Sequence, residues 1–203
     1  VLLAPSDEPS MCAALRFMLA YDRGPSFIRY PRGNVAEKPY RAEATPFEMG
    51  KAVLARTAKG KRPDLAILAY GAEVYEAARA LDQLDPQGYD IALYDARFAK
   101  PVDIDLVRQL VESAIPILTI EDHSLIGGFG TCVLEACNEQ RIATDRIHRM
   151  GMPDRWTYHD SRDGQLEQTG LDADGIARRI RLILDDRDEP QIHVNVAKSR
   201  VLR

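Results

Sequence analysis

Two arginines three residues apart, Arg29 and Arg32, carry the clearest chemical signal in the sequence. They stand in Arg29-Tyr30-Pro31-Arg32-Gly33-Asn34, directly after the apolar Phe27-Ile28 of an expected strand end, with Pro31 and Gly33 shaping the turn. A guanidinium fork can donate two parallel charge-assisted hydrogen bonds to a phosphate or carboxylate. A rigid turn at a strand end would hold it still for that purpose. The competing reading is ordinary: one or both arginines pair with surface carboxylates of an acidic chain.

Two further clusters carry polar chemistry. Glu121-Asp122-His123-Ser124 precedes Gly127-Gly128-Phe129-Gly130, a glycine-rich entry to an expected helix. Such an entry can cradle phosphate on backbone N–H groups. Its spacing matches neither the dinucleotide nor the P-loop pattern, and two acids close by oppose an anion. Close backbone packing at an interface is the favoured reading, with Val133 and Leu134 beside it. Asp95, Arg97 and Lys100 follow another expected strand, where ligands of open α/β sheets gather. There the favoured reading is a charged connector whose Pro101 and Asp103 start the next helix.

Other chemistries find no support. The four histidines, His123, His148, His159 and His193, sit in unrelated contexts, and no G-x-S-x-G elbow is present. No H-E-x-x-H or carboxylate cluster suggests a metal. His159 lies in a polar loop with Trp156 and Tyr158, aromatic residues that more often anchor interfaces than cofactors.

Alternating elements must position these groups. Val1–Ala4 reads as a buried strand, Ser6 as an N-cap, and Met11, Leu15, Met18 and Leu19 as the apolar stripe of a helix. Ser26–Tyr30 closes a β-α-β fragment with a parallel crossover. Residues 35–48 are polar and punctuated by proline, which suits a linker and a domain boundary. Beyond it, strands are expected at 51–55, 64–71, 91–95, 116–121 and 146–151. Helices are expected at 72–84, 104–114, 131–140 and 172–184. This alternation implies an α/β fold, a mostly parallel open sheet with helices on both faces. Ile192–Val196, after Pro190, alternates as an added edge strand would.

The 203 residues, 45% hydrophobic and 29% charged, suit one or two globular domains. A net charge of -4 leaves no electrostatic footprint for nucleic acid. No apolar run approaches the ~20 residues that span a bilayer, so no membrane partner is expected. Three cysteines, Cys12, Cys132 and Cys137, show no metal-ligand spacing and an odd count, which fits a reducing, cytoplasmic setting. The opening Val1-Leu2-Leu3-Ala4-Pro5 begins inside a strand. It is expected to be the C-terminal part of a larger polypeptide, cut within a domain.

Five segments, in order, carry a family resemblance: APSDE (Ala4–Glu8), GPSFIRYPRGN (Gly24–Asn34), YDARFAKPVD (Tyr94–Asp103), EDHSLIGGFGTCVLE (Glu121–Glu135) and GLDADGIARRI (Gly170–Ile180). Together they resemble the C-terminal third of the 1-deoxy-D-xylulose-5-phosphate synthases, within the transketolase-like, thiamine-diphosphate-dependent enzymes. The glycine segment is shared across that wider family, including the beta subunits of 2-oxo acid dehydrogenases, and does not choose between members.

The resemblance implies the end of a pyrimidine-binding domain with its linker (1–45) and a transketolase-like C-terminal domain (46–203). That domain would be a three-layer α/β/α structure with a mostly parallel five-stranded sheet. It implies an enzyme that condenses pyruvate with glyceraldehyde 3-phosphate, with loss of CO2, toward isoprenoid and thiamine precursors. By similarity Arg32 grips the acceptor phosphate, and Arg29 is its neighbour. No catalytic, cofactor or metal residue of the family falls within these 203 positions. Thiamine diphosphate and Mg2+ are therefore expected in the whole enzyme, as a homodimer, and no cofactor or activity in this part alone. Gly127, Gly128, Phe129 and Gly130 are the candidate interface. Alternatives are a non-catalytic oligomerisation module, or the corresponding part of a transketolase or a 2-oxo acid dehydrogenase beta subunit.

Overall fold

The structure is a computed structural model and describes residues 1–33, 45–60 and 62–185. The expected strand after Pro190 and most of the expected linker lie outside these residues. Strands β1 (Leu2–Leu3) and β2 (Phe27–Ile28) are joined through helix α1 (Glu8–Ala20). They pair in parallel, Leu2 with Phe27 and Leu3 with Ile28, the expected β-α-β crossover.

Helix α1 corrects two expectations. Asp7, not Ser6, is its N-cap, and its carboxylate accepts a 2.8 Å hydrogen bond from the Ser10 N–H. Negative charge at that end also favours the helix dipole. The Ser6 hydroxyl instead donates to Asp95 Oδ2 at 2.8 Å. The face turned inward is Ser10, Ala13 and Ala14, while Leu15 and Leu19 are exposed, Leu19 by 89%. The alanines are small enough for α1 to pack closely with Leu3, Phe47 and Phe98.

From residue 53 on, strands and helices alternate: β3 (Val53–Arg56), β4 (Leu65–Ala69), α2 (Glu73–Leu84), β5 (Ile91–Asp95), β6 (Phe98–Lys100), α3 (Ile104–Glu112), β7 (Ile117–Ser124), α4 (Phe129–Glu139), β8 (Ile147–Met152), α5 (Arg162–Thr169) and α6 (Ala173–Asp185). The main sheet runs β3-β5-β4-β7-β8. Only β3 is antiparallel to its neighbour. Central β4 is buried along its whole length, as an apolar run covered on both faces must be. One face packs under α2, α5 and α6 through Leu81, Leu84, Leu166, Ile176 and Ile180. The other packs under α3 and α4 through Val107, Leu110, Phe129, Val133 and Cys137. This is the expected three-layer α/β/α arrangement with five strands.

Two elements escaped the sequence. Strand β6 follows β5 after only Ala96 and Arg97, and it leaves the main sheet to pair antiparallel with β1, Leu3 opposite Phe98. A three-residue strand inside a charged segment has too short a pattern to register. Helix α5 buries only Leu166 and contains Gly164, so its periodicity is weak. Its N-cap is Ser161, whose hydroxyl accepts from the Gly164 N–H at 3.1 Å.

The connector reading of Asp95–Asp103 fits what is seen. Asp103 caps α3 by accepting from the Leu106 N–H. Arg97 is buried and lies 4.3 Å over the Phe47 ring, and its guanidinium donates to the Pro46 and Thr45 carbonyls at 2.9 and 3.1 Å.

Candidate functional site

The glycine-rich segment is occupied from within. Helix α4 begins at Phe129 with Gly128 as N-cap. The Phe129 and Gly130 N–H groups both donate to the Glu121 carboxylate, at 2.6 and 2.8 Å. These are the donors a phosphate would need. Burial keeps the Glu121 carboxyl above its ordinary range despite the two amides that favour its charge. A Cβ on Gly128 would overlap that carboxylate, and one on Gly130 would sit 2.7 Å from Thr119 Oγ1. The glycines therefore serve close packing inside the chain. Gly128, Phe129 and Gly130 are buried, as is Val133, and Gly127 remains at the surface beside the exposed Ile126.

The two arginines of the opening motif have different fates. The Arg29 backbone extends the β1–β2 pairing, its N–H donating to the Leu3 carbonyl at 2.8 Å. Its guanidinium is turned onto Asp122, bonding Oδ1 at 2.5 Å and the backbone carbonyl at 2.9 Å. Arg32 is exposed and lines a cavity of about 330 Å³ with Pro31, Asp122, Met152, Asp160 and Arg162. No hydrogen bond or ion pair engages it among the described residues. A second cavity, about 430 Å³, lies on the other side of the turn between the first turns of α1 and α2, with Tyr30, Pro31, Gly33 and Arg162 on its walls.

Behind the turn lies a network that the sequence did not reveal. Arg162, opening α5, donates from one Nη to both Glu73 Oε1 at 2.9 Å and Asp122 Oδ2 at 3.2 Å. Glu73, opening α2, is fully buried, and its Oε2 has no hydrogen-bond partner among the described residues. Burial, reinforced by the nearby Asp122 charge, pushes the Glu73 carboxyl up to about 8, although Arg162 pulls the other way. Arg29, Asp122, Arg162 and Glu73 thus form one chain of contacts from four segments. Glu73 follows β4, Asp122 lies near the end of β7, and Arg162 follows β8. All three lie at the carboxyl ends of parallel strands, where open α/β sheets place their ligands. A usable signal did exist: the N-cap position of α2 is Ala72, which has no capping side chain, and an acid stands at the first helical residue, Glu73.

Among the described residues, neither an open phosphate cradle nor a carboxylate cluster for a divalent ion is seen. No group of three or more His, Cys, Asp or Glu side chains stands together among the described residues. The one glycine-rich helix entry is filled by Glu121. Trp156 and Tyr158 are 84% and 72% exposed on their loop, and His159 is exposed with them. No described helix is long and apolar enough to cross a membrane.

Comparison with known proteins gives the context. The chain is 39% identical over 190 residues to 1-deoxy-D-xylulose-5-phosphate synthase of Anaeromyxobacter sp. (strain Fw109-5), a match that takes in 92% of this chain and 29% of that enzyme. To the synthase of Geobacillus thermodenitrificans (strain NG80-2) it is 37% identical over 184 residues, 91% of this chain and 29% of the enzyme. The chain thus spans under a third of the length of these relatives. Among solved structures, a split-gene transketolase described as an inactive beta4 tetramer superposes with a TM-score of 0.75 at 28% identity, over 91% of this chain and 57% of that one. The profile of the transketolase C-terminal domain matches residues 54–176, well over half of the sequence. The chain belongs to the transketolase C-terminal domain family.

Proposed function

We propose that this chain is the C-terminal part of a 1-deoxy-D-xylulose-5-phosphate synthase, divided into the end of a pyrimidine-binding domain (1–45) and a C-terminal domain (46–203). In the whole enzyme pyruvate is decarboxylated and its two-carbon remainder joined to the aldehyde of glyceraldehyde 3-phosphate. Thiamine diphosphate and Mg2+, held by residues outside this chain, would supply the carbanion-stabilising chemistry. Arg32 binds the acceptor phosphate. The remote contact orients the aldehyde, so binding energy away from the reacting carbon lowers the barrier there.

The observation that carries this reading is the contrast between the arginines. Arg29 has two donors committed to Asp122, while Arg32 stands exposed on a cavity at the sheet's carboxyl end. In the enzyme containing this chain, Arg32→Ala is expected to raise the KM for glyceraldehyde 3-phosphate at least tenfold. That is the loss of one charge-assisted contact of about 1.5–3 kcal/mol. Unchanged acceptor kinetics reject the assignment, and a larger effect of Arg29→Ala transfers it to Arg29.

A second reading is favoured by the relative described as an inactive tetramer. On that reading the chain alone is a self-associating module without activity, with Gly127 and Ile126 at the contact. Sedimentation of the isolated chain tests it. A monomer at micromolar concentration excludes it.

A further inference from the structure

We propose that Glu73 is a positioning residue of the acceptor-anion subsite: through Arg162 and Asp122 it sets the orientation of Arg29 and the net charge presented at the Arg29–Gly33 turn. The inference rests on the acceptor-phosphate reading of that turn.

The geometry is a relay with no slack. Arg29 uses both terminal nitrogens on Asp122, one on the carboxylate and one on the backbone carbonyl. The second Asp122 oxygen is taken by Arg162, so Asp122 can neither rotate away nor accept a third cation without losing one. Arg162 is fixed in turn by Glu73 Oε1. Glu73 and Asp122 are almost wholly buried, at 0% and 6% side-chain exposure, while Arg162 and Arg29 keep 32% and 28%, so these contacts are screened less than a surface pair and not fully shielded. Each link comes from a different element, which is how a turn on one sheet is held against the other. A buried Glu with one oxygen bonded and the other bare is costly as an anion and far cheaper as an acid. Among the described residues, no side chain other than Arg162 bonds its carboxyl.

Charge counting gives the functional consequence. With Glu73 neutral, Arg29, Arg162 and Asp122 sum to one positive charge behind Arg32. With Glu73 ionised the sum is zero. The other charged groups facing Glu73 are Asp122 from β7, Arg162 from α5 and Glu76 from its own helix. Glu76 is spent on Arg79 and on the Ala173 N–H. Asp160 and Arg32 share the cavity rim with Arg162. The acid form of Glu73 therefore favours a dianionic acceptor, and its ionisation withdraws that preference. The upward push on Glu73 places the change near pH 8. A phosphomonoester, with its second pKa near 6, is already fully charged there and contributes no change of its own.

Two measurements test the proposal. In the isolated chain labelled with ¹³C at glutamate carboxyls, the resonance lost in Glu73→Gln should titrate near pH 8. The Arg162 Nε–H resonance should move with the same midpoint, and His123→Gln should leave both in place. Absence of that transition, or its survival in Glu73→Gln, overturns the proposal whatever the enzyme does. In the enzyme containing this chain, KM for glyceraldehyde 3-phosphate should rise about three- to tenfold between pH 7 and 9, with KM for unphosphorylated glyceraldehyde flat. Glu73→Gln should flatten the first profile, and Arg162→Lys should restore more of the acceptor affinity than Arg162→Ala. A pH-independent acceptor KM in an enzyme that Arg32→Ala still impairs tenfold overturns the role of Glu73 and leaves the phosphate reading standing. An Arg32→Ala enzyme with unchanged acceptor KM overturns the phosphate reading itself.

Discussion

Replacing Glu121 tests how the glycine-rich helix entry is held. Its carboxylate is 1% exposed and takes two backbone N–H groups of α4. Glu121→Ala removes two charge-assisted hydrogen bonds, each about 1.5–3 kcal/mol, and strands two buried donors. It also removes a negative charge from a helix N-terminus, about 0.3–1 kcal/mol or more when buried. Because the two bonds share one acceptor group, their sum is an upper bound, and a loss of about 3–5 kcal/mol is expected. Against a total stability on the order of 5–15 kcal/mol, that is a large fraction. Urea unfolding followed by far-ultraviolet circular dichroism would show a lowered midpoint with the slope preserved. Gly128→Ala supplies the cross-check. Its new Cβ meets the same carboxylate, so it should expel Glu121 and cost a similar amount, and the double variant should cost little more than either single one. A Glu121→Ala loss below 1 kcal/mol, or additive single effects, would falsify the account of this segment as an internally capped helix entry.

Two further expectations concern the junction between the sheets. Burial pushes the Asp95 carboxyl up to about 6, with Arg97 and Ser6 opposing. The folded state therefore holds this proton more tightly than the unfolded chain. Stability should fall as pH rises from about 4 to about 6, by on the order of 2–3 kcal/mol from this group, and then level off. Subtracting the Asp95→Asn stability profile from the parent profile isolates that slope, and a difference that rises with pH in this window contradicts it. Arg97→Ala should cost at least about 3 kcal/mol, because it abandons two carbonyls and the Phe47 face and keeps a non-glycine residue at φ 57°. Differential scanning calorimetry measures it, and a melting temperature unchanged within a degree would exclude a fastening role.

The regular elements were legible because their signals are periodic. Leu65–Ala69 and Ile117–Ile120 are apolar runs too short for a helix and too continuous for a surface strand, and both are central strands of the main sheet. Helix α1 misled because its large residues, Leu15 and Leu19, point outward, and close packing selected Ala13 and Ala14 instead. Hydrophobicity patterns weigh size and polarity but not the distance available between elements. The candidate site was half legible. Arg29 and Arg32 stood out as charges beside a rigid turn. Glu73 and Arg162 did not, since each is one charged residue at an unremarked helix start, and only the sheet's topology brings them within 2.9 Å across 89 positions of sequence. The Glu121 cap was hidden for a related reason. An acid eight and nine residues before its donor N–H groups looks like an obstacle to anions until the strand-to-helix turn folds it back as their substitute.

The passage from β5 to β6 has a consequence for where the chain can safely be divided. Composition suggests a cut near residue 46, yet β6 lies beyond that point and finds its neighbour in β1, at the very beginning. A protein started at the cut would keep Phe98 and Ala99 but lose Leu3, Ala13 and Ala14, which cover that side. Strand β6, already at the edge of the small sheet, would lose β1, the strand it pairs with there, and stand unpaired beside a newly uncovered aromatic cluster, the combination that recruits strands from other molecules. Solubility, more than chemistry, would then set the shortest usable version of this domain.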